Sequence, residues 1–98
     1  MLKITNDVNE FTLEDECVVY FTAEWCGPCK QLKPQYGKVA VMDPKTNYYM
    51  VDVDKIPASK IEYYNIKSIP QIFKMNKGEI SGRVEARTAE AILEELGK

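Results

Sequence analysis

Histidine is absent from these 98 residues. That removes the commonest general acid–base and the commonest metal ligand from every functional reading. Cysteine is scarce: three thiols are an odd count and too few for a disulfide framework. A reducing, cytoplasmic setting is therefore expected, the host cytoplasm if the chain is viral. The N-terminus carries Lys3, Asn6 and Asp7 and no apolar segment of a secretory signal. Long hydrophobic runs are missing as well. The longest, Cys17-Val18-Val19-Tyr20-Phe21, falls far short of a bilayer span, so no membrane partner is expected. Nor is there a basic excess: 13 Lys and Arg face 15 Asp and Glu for a net charge of -2, which argues against a nucleic-acid partner.

What is present is ordinary globular composition, 45% hydrophobic and 29% charged, with no linker, repeat or low-complexity tract. The length predicts one small domain over residues 1–98. Leu2-Lys3-Ile4 reads as a first strand, and Thr5-Asn6-Asp7 opens a short helix through Val8 and Phe11. Residues 17–22 are β-branched and aromatic without alternation, as in a central strand covered on both faces. The next helix opens at Pro28, carries Cys29, Leu32, Tyr36 and Val39 on one face, and should kink at Pro34. A turn at 43–47, a strand at 48–53 and a short helix from Pro57-Ala58 through Ile61 and Tyr64 follow. Residues 71–75 and 79–84 pair through a hairpin at Asn76-Lys77-Gly78. Thr88 caps a last helix with Ala89, Ile92, Leu93 and Leu96 on one face, and Gly97 ends it. This order describes an α/β sandwich with a mixed sheet.

The informative stretch is Ala23-Glu24-Trp25-Cys26-Gly27-Pro28-Cys29-Lys30. Two thiols separated by two residues close a small disulfide ring with little strain when the second lies in the first helical turn. The strand before and the helix after place Cys26 at the positive end of a helix dipole, where thiolates are stabilised. Only the thiolate attacks a disulfide, so Cys26 is the expected nucleophile and Cys29 the shielded resolving thiol. Structural zinc, the sharpest competing explanation, fails on counting: four ligands are needed, and no His and one further Cys are available. No metal is expected. Cys17, at the head of the apolar run, reads as a small buried hydrophobe. Tyr36, Tyr48, Tyr49, Tyr63 and Tyr64 read mostly as scaffold.

Trp25-Cys26-Gly27-Pro28-Cys29 resembles the active-site signature of the thioredoxins. Pro34, Val51-Asp52-Val53-Asp54, Ile69-Pro70 and Gly78 extend the resemblance over essentially the whole chain. The resemblance implies the thioredoxin fold, a central mixed four- to five-stranded sheet flanked by helices on both faces. It implies a monomeric protein dithiol–disulfide oxidoreductase that acts through a mixed disulfide and needs no bound cofactor. The implied partners are protein disulfides and a thioredoxin reductase, either flavoprotein or ferredoxin-linked. It also implies a cis bond at Ile69-Pro70, whose backbone pairs with extended substrate. Trp25, Gly27, Pro28, Ile69 and Pro70 would then form a substrate-binding rim around Cys26.

Several positions depart from the family pattern. A buried aspartate commonly lies six residues before the first cysteine and is thought to relay the proton of the resolving thiol; here that position is Tyr20. A lysine often stands on the neighbouring strand, and Met50 is its counterpart. No charge then needs desolvation beneath the sheet, at the expected cost of slower deprotonation of Cys29. Ser68 and Gln71 flank Ile69-Pro70 where glycine and threonine are usual. Ala86 takes the approximate place of a groove glycine, and each of the three is a candidate for altered partner choice. Two rival readings stay open: a glutathione-coupled glutaredoxin-like enzyme, and a binding module whose thiols are incidental.

Overall fold

The computed structural model describes residues 2–98. In chain order the elements are β1 (Leu2–Thr5), α1 (Asn9–Thr12), β2 (Cys17–Thr22), α2 (Gly27–Met42) and β3 (Tyr48–Asp52). A 3-10 turn (Val53–Lys55) leads to α3 (Ala58–Tyr63), β4 (Gln71–Asn76), β5 (Glu79–Val84) and α4 (Ala89–Glu95). The strands form one sheet of five in the order β1-β3-β2-β4-β5. β3 pairs parallel with β1 and β2, whereas β4 pairs antiparallel with β2 and β5. A mixed sheet follows from the connections: a helix must carry the chain back for parallel pairing, and a tight turn suffices for antiparallel pairing.

β2 occupies the middle of the sheet and all six of its residues are buried. That explains its continuous apolar run, since alternation disappears when both faces are covered. One face receives α2: the Tyr36 ring meets Tyr20 at 5.0 Å and Tyr48 at 5.7 Å between centroids. The other receives α1 and the end of α3. There Phe11 contacts Phe21, Tyr49 and Tyr64, and Phe21 contacts Phe73. Successive residues of β2 thus serve opposite layers, as the two-residue period of a strand requires. α4 adds buried Ala89 and Ile92, and its Ala89 N–H donates to the Gln35 side chain of α2 at 2.8 Å.

Local chemistry sets the boundaries. The Thr88 hydroxyl accepts from Ala91 N–H and starts α4; Gly97, at φ 78°, ends it in the left-handed region. Lys77 and Gly78 both have positive φ between paired Asn76 and Glu79, the backbone of a two-residue hairpin turn. Three expectations change. Val53 leaves the strand, because the Asp52 carboxylate accepts from Asp54 N–H at 2.9 Å and nucleates the 3-10 turn. α2 begins one residue earlier than expected, at Gly27; as expected, Pro34 lies inside it, and it runs on to Met42. Tyr63 is 62% exposed, its hydroxyl donating to Glu79, so it is surface rather than core.

Tyr36 ties the layers together beyond ring packing. Its hydroxyl, fully buried, lies 2.8 Å from the Tyr49 carbonyl and 3.1 Å from that of Val18, bridging α2 to two strands. Tyr36→Phe keeps the ring and removes the donor. The expected loss is about 1–2 kcal/mol of unfolding free energy, read as a lower urea midpoint at unchanged m-value.

Candidate active site

The site forms where β2 ends and α2 begins. After Thr22 the chain turns at Ala23, whose carbonyl accepts from Cys26 N–H at 3.2 Å. Cys26 itself is the N-cap of α2: its backbone is extended (φ -82°, ψ 110°) and its Sγ accepts from Cys29 N–H at 3.2 Å. A side-chain acceptor at this position satisfies one of the orphan donors of a helix start. Pro28 follows in the first turn, where a missing N–H costs nothing. The sulfurs of Cys26 and Cys29 are joined in a disulfide across a Cα–Cα distance of 5.3 Å, within the range such bonds need.

Cys29 is wholly buried and Cys26 is 3% exposed. Both cysteines are therefore buried, and Cys26 is more covered than an open rim nucleophile would be. In the disulfide the Cys26 sulfur lies against that of Cys29. Next in the chain, Trp25 is 68% exposed, and its indole N–H donates to the Asp54 carboxylate at 2.7 Å. Gly27 and Pro28 are exposed, and Ile69 and Pro70 are half-buried. The Ile69–Pro70 bond is cis. Pro28 and Pro70 share the lining of one cavity, and Trp25 and Ile69 share that of a second, so the 69–70 loop abuts the Cys26 turn on both sides. Ser68 and Gln71 bridge that loop: the Gln71 amide donates to the Ser68 hydroxyl at 3.0 Å. Neither this bridge nor the Trp25–Asp54 bond is legible from spacing, since their partners are 3 and 29 residues apart without a shared pattern.

Tyr20 lies directly beneath. It is fully buried on β2, between Met50 of β3 and Ile72 of β4, and its hydroxyl donates to the Cys29 carbonyl at 3.2 Å. The phenol thus meets the backbone of the inner cysteine. Burial raises its pKa, and the nearby Thr22 hydroxyl and the Arg87 charge offset only part of the rise. Tyr20 is a neutral donor at any physiological pH. Thr22, two residues on, is buried too.

Comparison with known proteins gives a consistent picture. The family model described as Thioredoxin matches residues 3–98. Over 84 residues the chain is 34% identical to a putative thioredoxin-4 of Dictyostelium discoideum, covering 81% of this chain and 80% of that protein. It is 36% identical over 61 residues to thioredoxin H8 of Arabidopsis thaliana, covering 62% of this chain but only 40% of that longer relative. Among solved structures, the oxidised thioredoxin from Plasmodium falciparum superposes with a TM-score of 0.78 at 30% identity, covering 98% of this chain and 94% of that one.

The third cysteine stands apart from this chemistry. Cys17 is buried and free, its thiol 3.8 Å from the Phe11 carbonyl. Burial, reinforced by the Glu14 charge, pushes it from an ordinary 9.0 up to about 11. The unfolded chain therefore releases this proton first, and stability is expected to fall as pH climbs from about 9 to about 11. Buried tyrosines with raised phenols, Tyr20 and Tyr36 among them, extend the fall to higher pH. Cys17→Ala should flatten the first part of that fall in urea titrations at stepped pH. An unchanged slope would refute the assignment.

Proposed function

Since this chain belongs to the thioredoxin family and is a dithiol–disulfide oxidoreductase, we propose that it works as a protein-disulfide reductase, with Cys26 as nucleophile and Cys29 as resolving thiol. The observation that carries the assignment of roles is the Cys29 N–H aimed at Cys26 Sγ from the first turn of α2. A thiolate on Cys26 keeps that donor and gains the helix dipole, while Cys29 has no such partner and no exposure.

The chemistry balances as two displacements. The Cys26 thiolate attacks one sulfur of the substrate disulfide; a mixed disulfide forms, and the second substrate sulfur leaves as a thiolate that takes a proton from solvent. Cys29 then gives its proton to solvent and attacks Cys26 Sγ, releasing the other substrate thiolate. Two electrons have moved from the dithiol to the substrate, and the chain is left with the Cys26–Cys29 disulfide. A separate reductase, flavoprotein or ferredoxin-linked, returns the pair to the dithiol. No bound cofactor enters, because the two sulfurs are the redox centre.

Trp25, Gly27, Pro28, Ile69 and Pro70 form the substrate rim in this reading. The exposure of Trp25 supports it, as does the way the 69–70 loop and the Cys26 turn share two cavities. An extended segment at that loop can pair with its backbone as an added strand. A monomer in a reducing cytoplasm completes the proposal.

Insulin-disulfide reduction with dithiothreitol tests the roles. Cys26→Ser is expected to fall to background, and Cys29→Ser to accumulate a mixed disulfide visible by mass spectrometry. No rate above background for the parent chain would leave a binding module instead. Recycling by thioredoxin reductase and not by glutathione would exclude the glutaredoxin-like alternative.

Tyr20 bears on the second step. It is a neutral phenol tied to the Cys29 carbonyl and offers no base, so the proton of Cys29 goes to solvent unaided. Tyr20→Asp places a carboxylate there. The expected result is faster resolution of a preformed mixed disulfide in stopped flow, together with a stability loss of about 2–4 kcal/mol from burying an unpaired acid. If neither changes, position 20 is no proton-relay site.

A further inference from the structure

On the side of Cys26 away from Trp25, a cavity of about 450 Å³ opens between the start of α2, the cis-proline loop and the β5–α4 connection. Pro28 and Pro70 form its inner walls; Gln31, Gln35, Arg87 and Thr88 supply its polar lining. That set holds one cation and, among the described residues, no carboxylate. The carboxylates nearest in sequence are otherwise engaged. Glu85 pairs with Arg83 at 3.5 Å, Glu90 pairs with Lys38 at 3.7 Å, and Glu95 accepts from the N–H groups of Glu85 and Ala86. Arg87 is exposed, and among the described residues it makes no ion pair within 4.0 Å.

The cavity is also held in shape. Glu95 pins the connection at residues 85 and 86 by bonds of 3.0 and 2.8 Å. Gln35 pins it at the other end, its side-chain oxygen accepting from Ala89 N–H at 2.8 Å, which leaves the Gln35 amide NH2 as an unused donor. Arg87 is thus carried on a braced segment between two anchors. Its charge favours the ionised form of the Tyr20 phenol, whose hydroxyl donates to the Cys29 carbonyl. Across Cys26, Asp54 holds the Trp25 indole and Glu24 is exposed beside it, while Lys67 joins Trp25 and Ile69 in lining the second cavity.

We infer that this cavity is a specificity subsite in which Arg87, helped by the amides of Gln31 and Gln35, receives an acidic side chain of the protein whose disulfide is attacked. The inference rests on the reductase reading above and names the kind of substrate it favours. A guanidinium next to free amide donors matches a carboxylate in both charge and hydrogen-bonding geometry. A glutamine in the same place would satisfy the geometry without the charge, and a lysine would meet repulsion.

The test uses the whole chain and synthetic peptide disulfides in which the attacked cysteine is flanked by glutamate, glutamine or lysine. At low salt, kcat/KM for the glutamate peptide is expected to exceed that for the glutamine peptide by about three- to fivefold, the size of a partly exposed ion pair. The advantage should shrink at high salt. Arg87→Gln should bring the ratio to about one, and Arg87→Glu should favour the lysine peptide. Each variant is read separately, so a misfolded Glu variant leaves the Gln variant to decide. Lys67→Gln removes a charge on the Trp25 side and should keep most of the ratio. A ratio insensitive to Arg87, or lost equally in Lys67→Gln, overturns the subsite. Reduction of all three peptides at one rate overturns it as well and spares the reductase reading, whereas reduction of none overturns both.

Discussion

The contact on which the rest depends is a single backbone N–H, that of Cys29, pointing at the sulfur of Cys26 from the opening turn of α2. A sulfur in that position is both a helix cap and a reactive group. Its charge when ionised is met by the positive end of a helix 16 residues long. Every larger feature keeps this contact in register. β2 is fixed because it is buried on both faces, α2 is fixed because Tyr36 ties it to β2 and β3, and the short turn between them has no freedom to drift. The conventional core of aromatic rings therefore has a functional consequence: it sets the aim of one hydrogen bond.

Among the described residues, no charged side chain is buried beneath the disulfide. Tyr20 lies between Met50 and Ile72, so the layer under Cys29 is a phenol, a thioether and an aliphatic chain. An unpaired carboxylate there would cost several kcal/mol of desolvation, whereas a phenol that donates to a carbonyl costs little. The trade is one of stability against proton handling. Tyr20 holds the backbone of Cys29 and not its sulfur, and under the proposed mechanism the second displacement then depends on solvent.

Much of this was legible in the chain itself because local rules act alone there. The unbroken apolar run of β2, the Asn76-Lys77-Gly78 turn, the Thr88 cap and the cysteine pair before Pro28 each carry their own physical reason, and the observed elements agree within a residue or two. The readings that failed turned on details that the apolar pattern does not carry. Val53 left its strand because the Asp52 carboxylate captured the amide two residues on, and Tyr63 faces solvent at the end of a short helix with its hydroxyl held by Glu79. Near the site, the Asp54 bond to Trp25, the Glu95 clamp and the cavity at Arg87 join residues far apart in sequence, and no periodicity announces them.

Trp25 is the only tryptophan in the chain, and it stands exposed beside Cys26 with its indole N–H held by Asp54. The core is built from tyrosine and phenylalanine instead. The molecule thus carries its own optical probe: light absorbed at the red edge of the aromatic band reports the surroundings of one side chain, next to the redox pair, with no dye or engineered label.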